Sequence, residues 1–497
     1  MGLLEKIRSI VAGGEGRRGT PFVSVRATQR WLSNLPGVSD YDIHHVLVEG
    51  LERYNGDTRG EVLKRIRMLG MLEEAGLPLQ ARLVDQYLQS HARSEPSRQP
   101  LWRECHLFWD QLTVAYLPFL NLALRGGEES GKLASMATWI AVKSLRYFSL
   151  GMRWEYLRGR RPAESAWRRL HKIYRAAESA GIALDETDIA EGGKTSCARE
   201  YVMTLLFDLA NPYAFCPTEI KSALGLLDGL MVLPVPEAGL RRGLHTHMVD
   251  LTATAGPDRI DERWVPGGRL RYLDFRDVMR ELEEHARRDP GSPRAAGAKK
   301  LASVIGRGGA SRRGPRKPRM GEVRAVFGVE RVFRIFSPLP GAAQDAECLT
   351  LRDESGAGLG FVLGEARELQ PGCLMAVDRD DGCGNWQLLA ARWLREEDGQ
   401  WLLGTEVLSR HPKRADIEWE AEGVGREAAA ALFLPLASAS QGATSNLLLP
   451  RMAYLAGREL LLRQDDGTRY RLRLGDAVEP HESWLRAEFD VLAREAV

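Results

Sequence analysis

The sequence predicts a multidomain α+β protein: an N-terminal irregular helical bundle or helix-hairpin domain, then a small antiparallel β-barrel and a further β-rich C-terminal region. Apolar residues recur three and four positions apart from about residue 24 to residue 235, which is the period of an amphipathic helix. After Met320, short apolar segments alternate with glycine turns, a pattern typical of antiparallel strands. The length of 497 residues exceeds what a single hydrophobic core normally holds.

We assign the helical domain to residues 1–240. Glycine and proline punctuate the apolar periodicity, for example at Gly76-Leu77-Pro78, which predicts short turns between helices. No fixed-period repeat is present, so a strict solenoid is not predicted. The tryptophans of this domain indicate either core packing or a groove for a protein partner; they lie at positions 102, 109, 139, 154 and 167.

Two segments separate the helical domain from the barrel. Residues 241–288 predict a small α+β annex, with strands at His247–Leu251 and Arg269–Leu273 and a helix at Val278–Arg287. Residues 289–318 are rich in Gly, Pro, Ala and Ser and carry many basic residues, with no acidic residue between Asp289 and Glu322. We interpret this second segment as a basic, flexible linker, because such a composition does not support a packed core.

Residues 319–415 predict the barrel. Its expected strands include Glu322–Phe327, Arg331–Phe336 and Ala346–Arg352, and Glu397-Asp398-Gly399 reads as a hairpin turn. Residues 416–497 form a further β-rich region, which is either a second small barrel or an extension of the first.

Composition excludes several classes of protein. Lysine and arginine (69) nearly balance aspartate and glutamate (67), so no overall field favours a specific nucleic-acid partner. The six cysteines form no CxxC pair, which argues against a zinc ribbon and fits reduced thiols of a cytoplasmic protein. The sequence contains neither a secretory h-region nor a run of about 18 apolar residues, so no membrane span is expected.

Two short motifs carry the functional signal. The first is Arg312-Arg313-Gly314-Pro315-Arg316 and the second is Asp353-Glu354-Ser355-Gly356-Ala357-Gly358. Arginine presents a planar fork of donors that matches a phosphate and the O6/N7 edge of guanine. Asp accepts hydrogen bonds from ring donors, Ser donates to phosphate, and Gly permits close backbone approach. Together the motifs predict a clamp for a phosphorylated guanine ligand.

Catalytic and metal motifs are weak by comparison. Glu191-Gly192-Gly193-Lys194-Thr195 ends like a phosphate-binding loop, but Asp188 occupies the place of its first glycine. His245 and His247 alternate as strand ligands do, but no third metal ligand is evident. No nucleophile or acid–base constellation is visible, so an enzyme is not expected.

Residues 311–410 resemble a PilZ domain, the bacterial receptor for cyclic di-GMP. The family pattern RxxxR is matched by Arg312 and Arg316, and [D/N]xSxxG is matched by Asp353, Ser355 and Gly358. The resemblance implies that the two arginines engage guanine edges and phosphates, with Arg313 assisting. It also implies that Asp353 bonds guanine N1/N2, that Ser355 bonds a phosphate, and that Gly358 keeps the surface open. The implied ligand is cyclic di-GMP, with no other cofactor.

The leading hypothesis is a non-enzymatic effector in which cyclic di-GMP switches interdomain or partner contacts. The helical region resembles the accessory region of larger PilZ proteins of type IV pilus and surface-attachment systems, which implies pilus, attachment or motility control and a protein partner through that region. A scaffold whose barrel binds no nucleotide is the main alternative, and nonspecific nucleic-acid binding by the basic linker is another. The sequence is compatible with one or two bound dinucleotides, and Arg313, Arg319 or a residue of the C-terminal region could serve the second.

Overall fold

The computed structural model describes residues 21–90, 95–125, 128–189, 193–215, 217–260, 269–290, 292–306, 317–337, 343–364, 369–379, 384–421, 425–435, 445–464, 467–481 and 483–495. The chain divides into two compact units at residue 312, with the short segment 213–216 counted in the second. The first unit is mainly helical and the second is built from β-barrels. The predicted α+β architecture is therefore confirmed.

Helices make up most of the first unit. In chain order they are α1 (Val25–Leu32), α2 (Asp40–Gly56), α3 (Val62–Gln89), α4 (Glu95–Arg125), α5 (Glu128–Leu133), α6 (Ala137–Leu157), α7 (Glu164–Ser179), α8 (Cys197–Leu209) and α9 (Pro217–Asp228). Several of these helices begin at a residue whose side chain caps the helix N-terminus. At α2, the Ser39 hydroxyl accepts from the Asp42 backbone N–H while the Asp42 carboxylate accepts from the Ser39 N–H, a capping box that satisfies two otherwise unpaired donors.

The tryptophans of this unit form core. Trp102, Trp109, Trp154 and Trp167 are all buried. Trp102 on α4 donates its indole N–H to the Trp154 carbonyl at 3.0 Å, and Trp154 on α6 donates to the Trp102 carbonyl at 2.7 Å. This reciprocal pair satisfies both buried indole donors and fixes the register of α4 against α6. For these four residues the core interpretation is confirmed.

A buried ion pair joins α3 to α6. Lys143 and Glu73 are 3% and 7% exposed in their side chains, and the Lys143 ammonium donates to the Glu73 carboxylate. The hydroxyls of Tyr116 and Tyr147 also donate to Glu73. A buried charge pair is tolerated only when its remaining hydrogen-bonding capacity is satisfied, and the two tyrosines supply that capacity here.

We expect Asp208 on α8 to make the stability of this unit depend on pH. Burial raises the pKa of its carboxyl to about 6, although a hydrogen bond from Tyr156 opposes the shift. The folded state then holds a proton that the unfolded chain, with a pKa near about 3.9, releases. We expect the free energy of unfolding to fall by about 1–2 kcal/mol between about pH 4 and pH 6 from this group, and Asp208→Asn to remove that dependence in denaturant titrations across this range. An identical pH profile in the variant would contradict the assignment.

The α+β annex follows the helices. Strands β3 (His247–Asp250), β4 (Asp258–Arg259) and β5 (Leu270–Leu273) pair antiparallel in the order β4-β3-β5, after the hairpin of β1 (Thr187–Ile189) and β2 (Gly193–Thr195). Helix α10 (Arg276–Arg288) comes next. The two predicted strands and the predicted helix are present, within a few residues of the expected bounds.

The interpretation of residues 289–318 as linker is wrong over much of its length. Helix α11 (Pro293–Gly306) occupies it, and this helix buries Ala295, Ala298, Leu301 and Ile305. Alanine has the highest helix propensity, and a helix with small side chains can pack closely, so a composition that suggested a linker also permits a packed helix. Residues 307–316 lie outside the described residues, and Lys317 already belongs to a strand.

The first barrel closes in the order β10-β11-β8-β7-β6-β9. Its strands are β6 (Lys317–Phe327), β7 (Glu347–Ser355), β8 (Gly358–Leu363), β9 (Leu374–Asp378), β10 (Trp386–Glu397) and β11 (Gln400–Ser409). The predicted strand Arg331–Phe336 is instead helix α12 (Val329–Ile335), which buries Val332, Phe333 and Ile335. Such a short apolar run fits either period. The Asp-Ser-Gly motif therefore begins in the second strand of the barrel, β7, whereas the expected strand at Arg331–Phe336 would have made this strand the third.

The C-terminal β-rich region is a second closed barrel, ordered β12-β13-β14-β17-β16-β15. It comprises β12 (Lys413–Ala421), β13 (Gly425–Leu434), β14 (Asn446–Pro450), β15 (Glu459–Gln464), β16 (Arg469–Pro480) and β17 (Trp484–Glu495). Each barrel has its own interior core. A further apolar cluster joins them: Val326, Leu374 and Leu388 of the first barrel and α12 pack with Leu432, Leu448 and Trp484 of the second.

Candidate ligand-binding face on the first barrel

The Asp-Ser-Gly motif forms the tight hairpin between β7 and β8. Ser355 pairs with Gly358 across the turn. The Ser355 hydroxyl accepts from the Gly358 N–H at 3.1 Å and donates to the Gly358 carbonyl at 3.2 Å. Ser355 is half-buried and Asp353 lies two residues earlier on the same strand. The structure therefore holds Asp353, Ser355 and Gly358 on one hairpin.

Gly358 lies where β8 approaches β11 most closely. A Cβ atom at this position would lie 2.1 Å from the backbone oxygen of Thr405, a distance that real Cβ contacts do not reach. The Thr405 hydroxyl in turn donates to the Leu359 carbonyl at 2.9 Å. Packing between the two strands thus requires glycine at residue 358, independently of any ligand.

Glu354, which lies between Asp353 and Ser355, accepts hydrogen bonds from two arginines. Arg319 on β6 donates to its carboxylate at 2.9 Å, and Arg379, just after β9, donates at 2.5 Å. The hydrogen bond from Arg319, together with that from Arg379, holds the pKa of Glu354 below its usual value. These contacts join the ends of β6, β7 and β9 and fix the backbone that carries Asp353.

Cross-strand pairing places Asp353 in a row of residues on the outer surface. Pro318 pairs with Asp353, Asp353 with Gly360, Gly360 with Gly404, and Gly404 with Trp393. The residues that alternate with this row, such as Phe361 and Leu403, belong to the barrel interior, so the row faces outward. The two positions between Asp353 and Trp393 in this row are glycines, Gly360 and Gly404.

Register shifts accompany this row on three of its strands. They fall between Pro318 and Gly321 on β6, between Leu351 and Asp353 on β7, and between Ala391 and Trp393 on β10. A bulge adds one residue, re-aims side chains, and is common at barrel rims and beside functional sites. On β10 it gives Trp393 to the outer face next to Gly404.

Trp393 covers Gly404 and is half-buried. A Cβ atom at Gly404 would lie 2.0 Å from the indole Cε2, so only glycine lets the ring lie against this strand. The Arg395 guanidinium sits 4.9 Å from the centroid of the same ring, a cation–π distance. Sequence alone does not place Trp393 beside the Asp-Ser-Gly motif, because the outward position of this residue depends on the bulge.

The residue before Trp393 connects the face to the second barrel. Arg392 donates to Glu406 at 2.8 Å and to both carboxylate oxygens of Glu479 on β16. Burial disfavours the charged form of Glu479, but hydrogen bonds from His481 and Arg392 outweigh it and hold its pKa well below the usual range. At the bulge on β10, Trp393 therefore lies on the outer face, and Arg392 before it contacts the second barrel.

Arg312, Arg313 and Arg316 lie outside the described residues. Strand β6 of the first barrel begins at Lys317, which pairs with Glu354, and Pro318 pairs with Asp353. Arg316 directly precedes Lys317 in the sequence, and consecutive Cα atoms are about 3.8 Å apart. The three arginines therefore immediately precede the strand that pairs with the Asp-Ser-Gly motif.

Comparison with known proteins concerns the other unit. Residues 26–233 match the family model described as the N-terminal domain of the cyclic-di-GMP receptor FimW. This match spans α1 to α9 and covers less than half of the chain. No protein of curated function matches at a significant level. The helical unit is therefore similar to part of a cyclic-di-GMP receptor.

Within the described ranges, no group of three or more His, Cys, Asp or Glu side chains is arranged to hold a metal ion. No helix in the same part of the chain combines the length and hydropathy that a membrane span requires.

Proposed function

We propose that this protein is a non-enzymatic effector that binds cyclic di-GMP on the outer face of its first barrel. The observation that supports the proposal is the pairing of Pro318 with Asp353, because Pro318 follows Arg312 and Arg316 closely in the sequence. The similarity of residues 26–233 to a domain of a cyclic-di-GMP receptor supports the same ligand from an independent part of the chain.

The chemistry of the face suits a PilZ-type site. Arg312 and Arg316 would bind guanine edges and phosphates through bidentate hydrogen bonds, with Arg313 beside them. Asp353 would accept from guanine N1/N2, and Ser355 would donate to a phosphate. Within the hairpin the Ser355 hydroxyl donates its one proton to the Gly358 carbonyl, so donation to a phosphate would require the hydroxyl to rotate away from that carbonyl.

Ligand binding of this kind couples two parts of the chain. A dinucleotide held between the arginine segment and the barrel face would fix the segment that joins the two units. We propose that ligand binding changes contacts between domains or with a partner protein in the cytoplasm. The process controlled would be bacterial surface attachment, pilus function or motility. The switch requires no chemical reaction. It requires only that cyclic di-GMP binds one arrangement of the domains more tightly than the other.

Isothermal titration calorimetry of the full-length protein with cyclic di-GMP tests the proposal. Two bidentate arginine contacts, together with pairing to the phosphates, are expected to give a dissociation constant of about 1 μM or lower. This corresponds to a binding free energy of about −8 kcal/mol. The affinity is expected to fall as salt rises, because the ligand is a dianion. Absence of heat at any ligand concentration up to the millimolar range would exclude the proposal and favour a nucleotide-independent scaffold.

Trp393 is expected to contribute to the same site. It ends the outer row that starts beside Asp353, and an indole is a good platform for a purine base. We expect Trp393→Ala to weaken cyclic di-GMP binding about tenfold, since stacking on an aromatic is worth about 1–3 kcal/mol per base, and Trp393→Phe to retain most affinity. Calorimetry on both variants measures this. Trp386→Phe, on the same strand, serves as the control, and unchanged affinity in Trp393→Ala would remove Trp393 from the site.

A further inference from the structure

The strand that leaves the first barrel brings an arginine to the Asp-Ser-Gly hairpin. Arg410 directly follows β11, and its guanidinium donates to the Gly356 carbonyl, in the turn of the hairpin, at 3.3 Å. Earlier on the same strand, the Val407 N–H donates to the Ala357 carbonyl at 2.9 Å. The end of β11 therefore runs along the hairpin turn and holds Arg410 beside it.

Arg410 has hydrogen-bond donors left for a ligand. A guanidinium carries five N–H donors, and the bond to Gly356 uses one of them. The Arg410 residue is exposed, and among the described residues it has no ion-pair partner. A Cβ atom at Gly356 would meet nothing within 4 Å, so the space at this turn is open. The remaining donors of Arg410 are therefore available to a group bound at the turn.

The strand order puts the hairpin between two strand ends that adjoin arginines in the sequence. Strand β6 pairs with β7 on one side of the hairpin, and β11 pairs with β8 on the other, both antiparallel. In antiparallel pairs, the start of β6 and the end of β11 lie at the hairpin end of β7 and β8. Arg316 immediately precedes β6, and Arg410 immediately follows β11.

Arg410 also begins a second copy of the arginine spacing. Arg410-His411-Pro412-Lys413-Arg414 has the pattern RxxxR and leads into β12, as Arg312-Arg313-Gly314-Pro315-Arg316 leads into β6. The barrels repeat as well: numbered along the chain, the strands of each barrel close in the order 1-2-3-6-5-4. The two arginine pairs therefore precede equivalent strands of two barrels with the same topology.

The second barrel does not supply its own hairpin for this second pair. Residues 435–445, which join β13 to β14, contain no Asp or Asn with which the Asp-Ser-Gly motif could begin. Leu432 and Leu448, on the strands that this connection joins, pack against the first barrel. Arg414 is held in an ion pair within β12 at 3.0 Å. Arg410 is therefore the member of the pair that contacts a motif hairpin, and that hairpin belongs to the first barrel.

We propose that Arg410 is a further ligand-binding residue of the cyclic di-GMP site and donates to a phosphate of the dinucleotide. Phosphate is the group assigned to it because Ser355, which we propose to bond a phosphate, directly precedes Gly356. Hydrogen bonds from a guanidinium to a phosphate are charge-assisted and suit bidentate contact. This inference rests on the proposed function, and it adds a contact from the β11 side of the hairpin.

Calorimetric titration of the full-length protein with cyclic di-GMP tests the role of Arg410. We expect Arg410→Ala to weaken binding about tenfold, the effect of losing one hydrogen bond to a charged group. Arg410→Lys is expected to bind more tightly than Arg410→Ala, because lysine keeps the charge. The control is Arg426→Ala, which removes the same charge from the exposed start of β13 and is expected to bind as wild type does.

The salt dependence of the affinity distinguishes a phosphate contact from an effect on the shape of the hairpin. The affinity of Arg410→Ala should fall less steeply with salt than that of wild type, because one charge pair that salt screens has been removed. A weakened Arg410→Ala variant with the salt dependence of wild type would mean that Arg410 only positions the hairpin, and would overturn the phosphate contact.

The remaining outcomes separate this inference from the proposed function. Binding by wild type, with Arg410→Ala within about twofold of it, would overturn the role of Arg410 and leave the proposed function intact. Equal losses in Arg410→Ala and Arg426→Ala would also overturn that role, since net charge alone would then explain the effect. Absence of binding by wild type would instead contradict the proposed function, and the role of Arg410 with it.

Discussion

Replacing Arg312 and Arg316 together by alanine is expected to weaken cyclic di-GMP binding at least about 100-fold. Each bidentate arginine–guanine contact is worth about 1–3 kcal/mol, and 1.4 kcal/mol corresponds to a factor of ten. The two arginines precede Lys317, whose strand pairs directly with the Asp353 strand. Calorimetry on the full-length variant measures the loss.

Matched variants distinguish recognition from net charge. Arg312→Lys/Arg316→Lys keeps both charges but loses the planar fork, so we expect most of the affinity to disappear as well. Arg280→Ala/Arg287→Ala removes two positive charges from α10 and should bind as wild type does. Binding by the alanine variant within about threefold of wild type would show that the arginines do not form the site.

Glu73→Leu is expected to have the largest effect on stability, lowering the free energy of unfolding by about 3–5 kcal/mol. The substitution leaves the Lys143 ammonium buried without its carboxylate and removes the acceptor of the Tyr116 and Tyr147 hydroxyls. Denaturant unfolding followed by far-ultraviolet circular dichroism, which reports the helical unit, measures the change.

The neighbouring Glu74 provides the control, because it is exposed and outside this cluster. Glu74→Leu should change the free energy of unfolding by less than about 0.5 kcal/mol, the usual range for surface substitutions. Similar costs for both variants would mean that the Glu73–Lys143 pair contributes nothing specific. Cyclic di-GMP affinity of the remaining folded protein should be unaffected by either change, since neither residue belongs to the barrel.

The sequence predicts those parts of the fold in which a single hydrophobic periodicity extends over many residues. The long helices and the barrel strands meet this condition. Segment 331–336 is too short for its period to decide, and contacts with the second barrel select helix α12. Segment 293–306 misleads because composition alone does not distinguish an alanine-rich linker from an alanine-rich packed helix, whereas burial of Leu301 and Ile305 does.

The candidate site divides in the same way. Asp353, Ser355 and Gly358 are contiguous in sequence, so a motif can identify them. Trp393 lies near these residues only because β10, β11 and β8 pair with one another. The bulge before Trp393 also changes which side chains of β10 face outward, so simple alternation along the strand would predict the wrong face. The close approach of Gly358 to Thr405 is likewise a property of strand pairing, which local sequence does not specify.

The apolar cluster between the two barrels makes them inseparable as modules. Cutting the chain after residue 415 would expose Leu374, Ala376, Leu388 and Ala390, which are buried against the second barrel and α12, and would strip Arg392 of Glu479. Exposed apolar patches of this kind promote aggregation. The candidate ligand-binding face of the first barrel therefore depends on the second barrel, and the two barrels together are the smallest unit that could be exchanged intact between proteins.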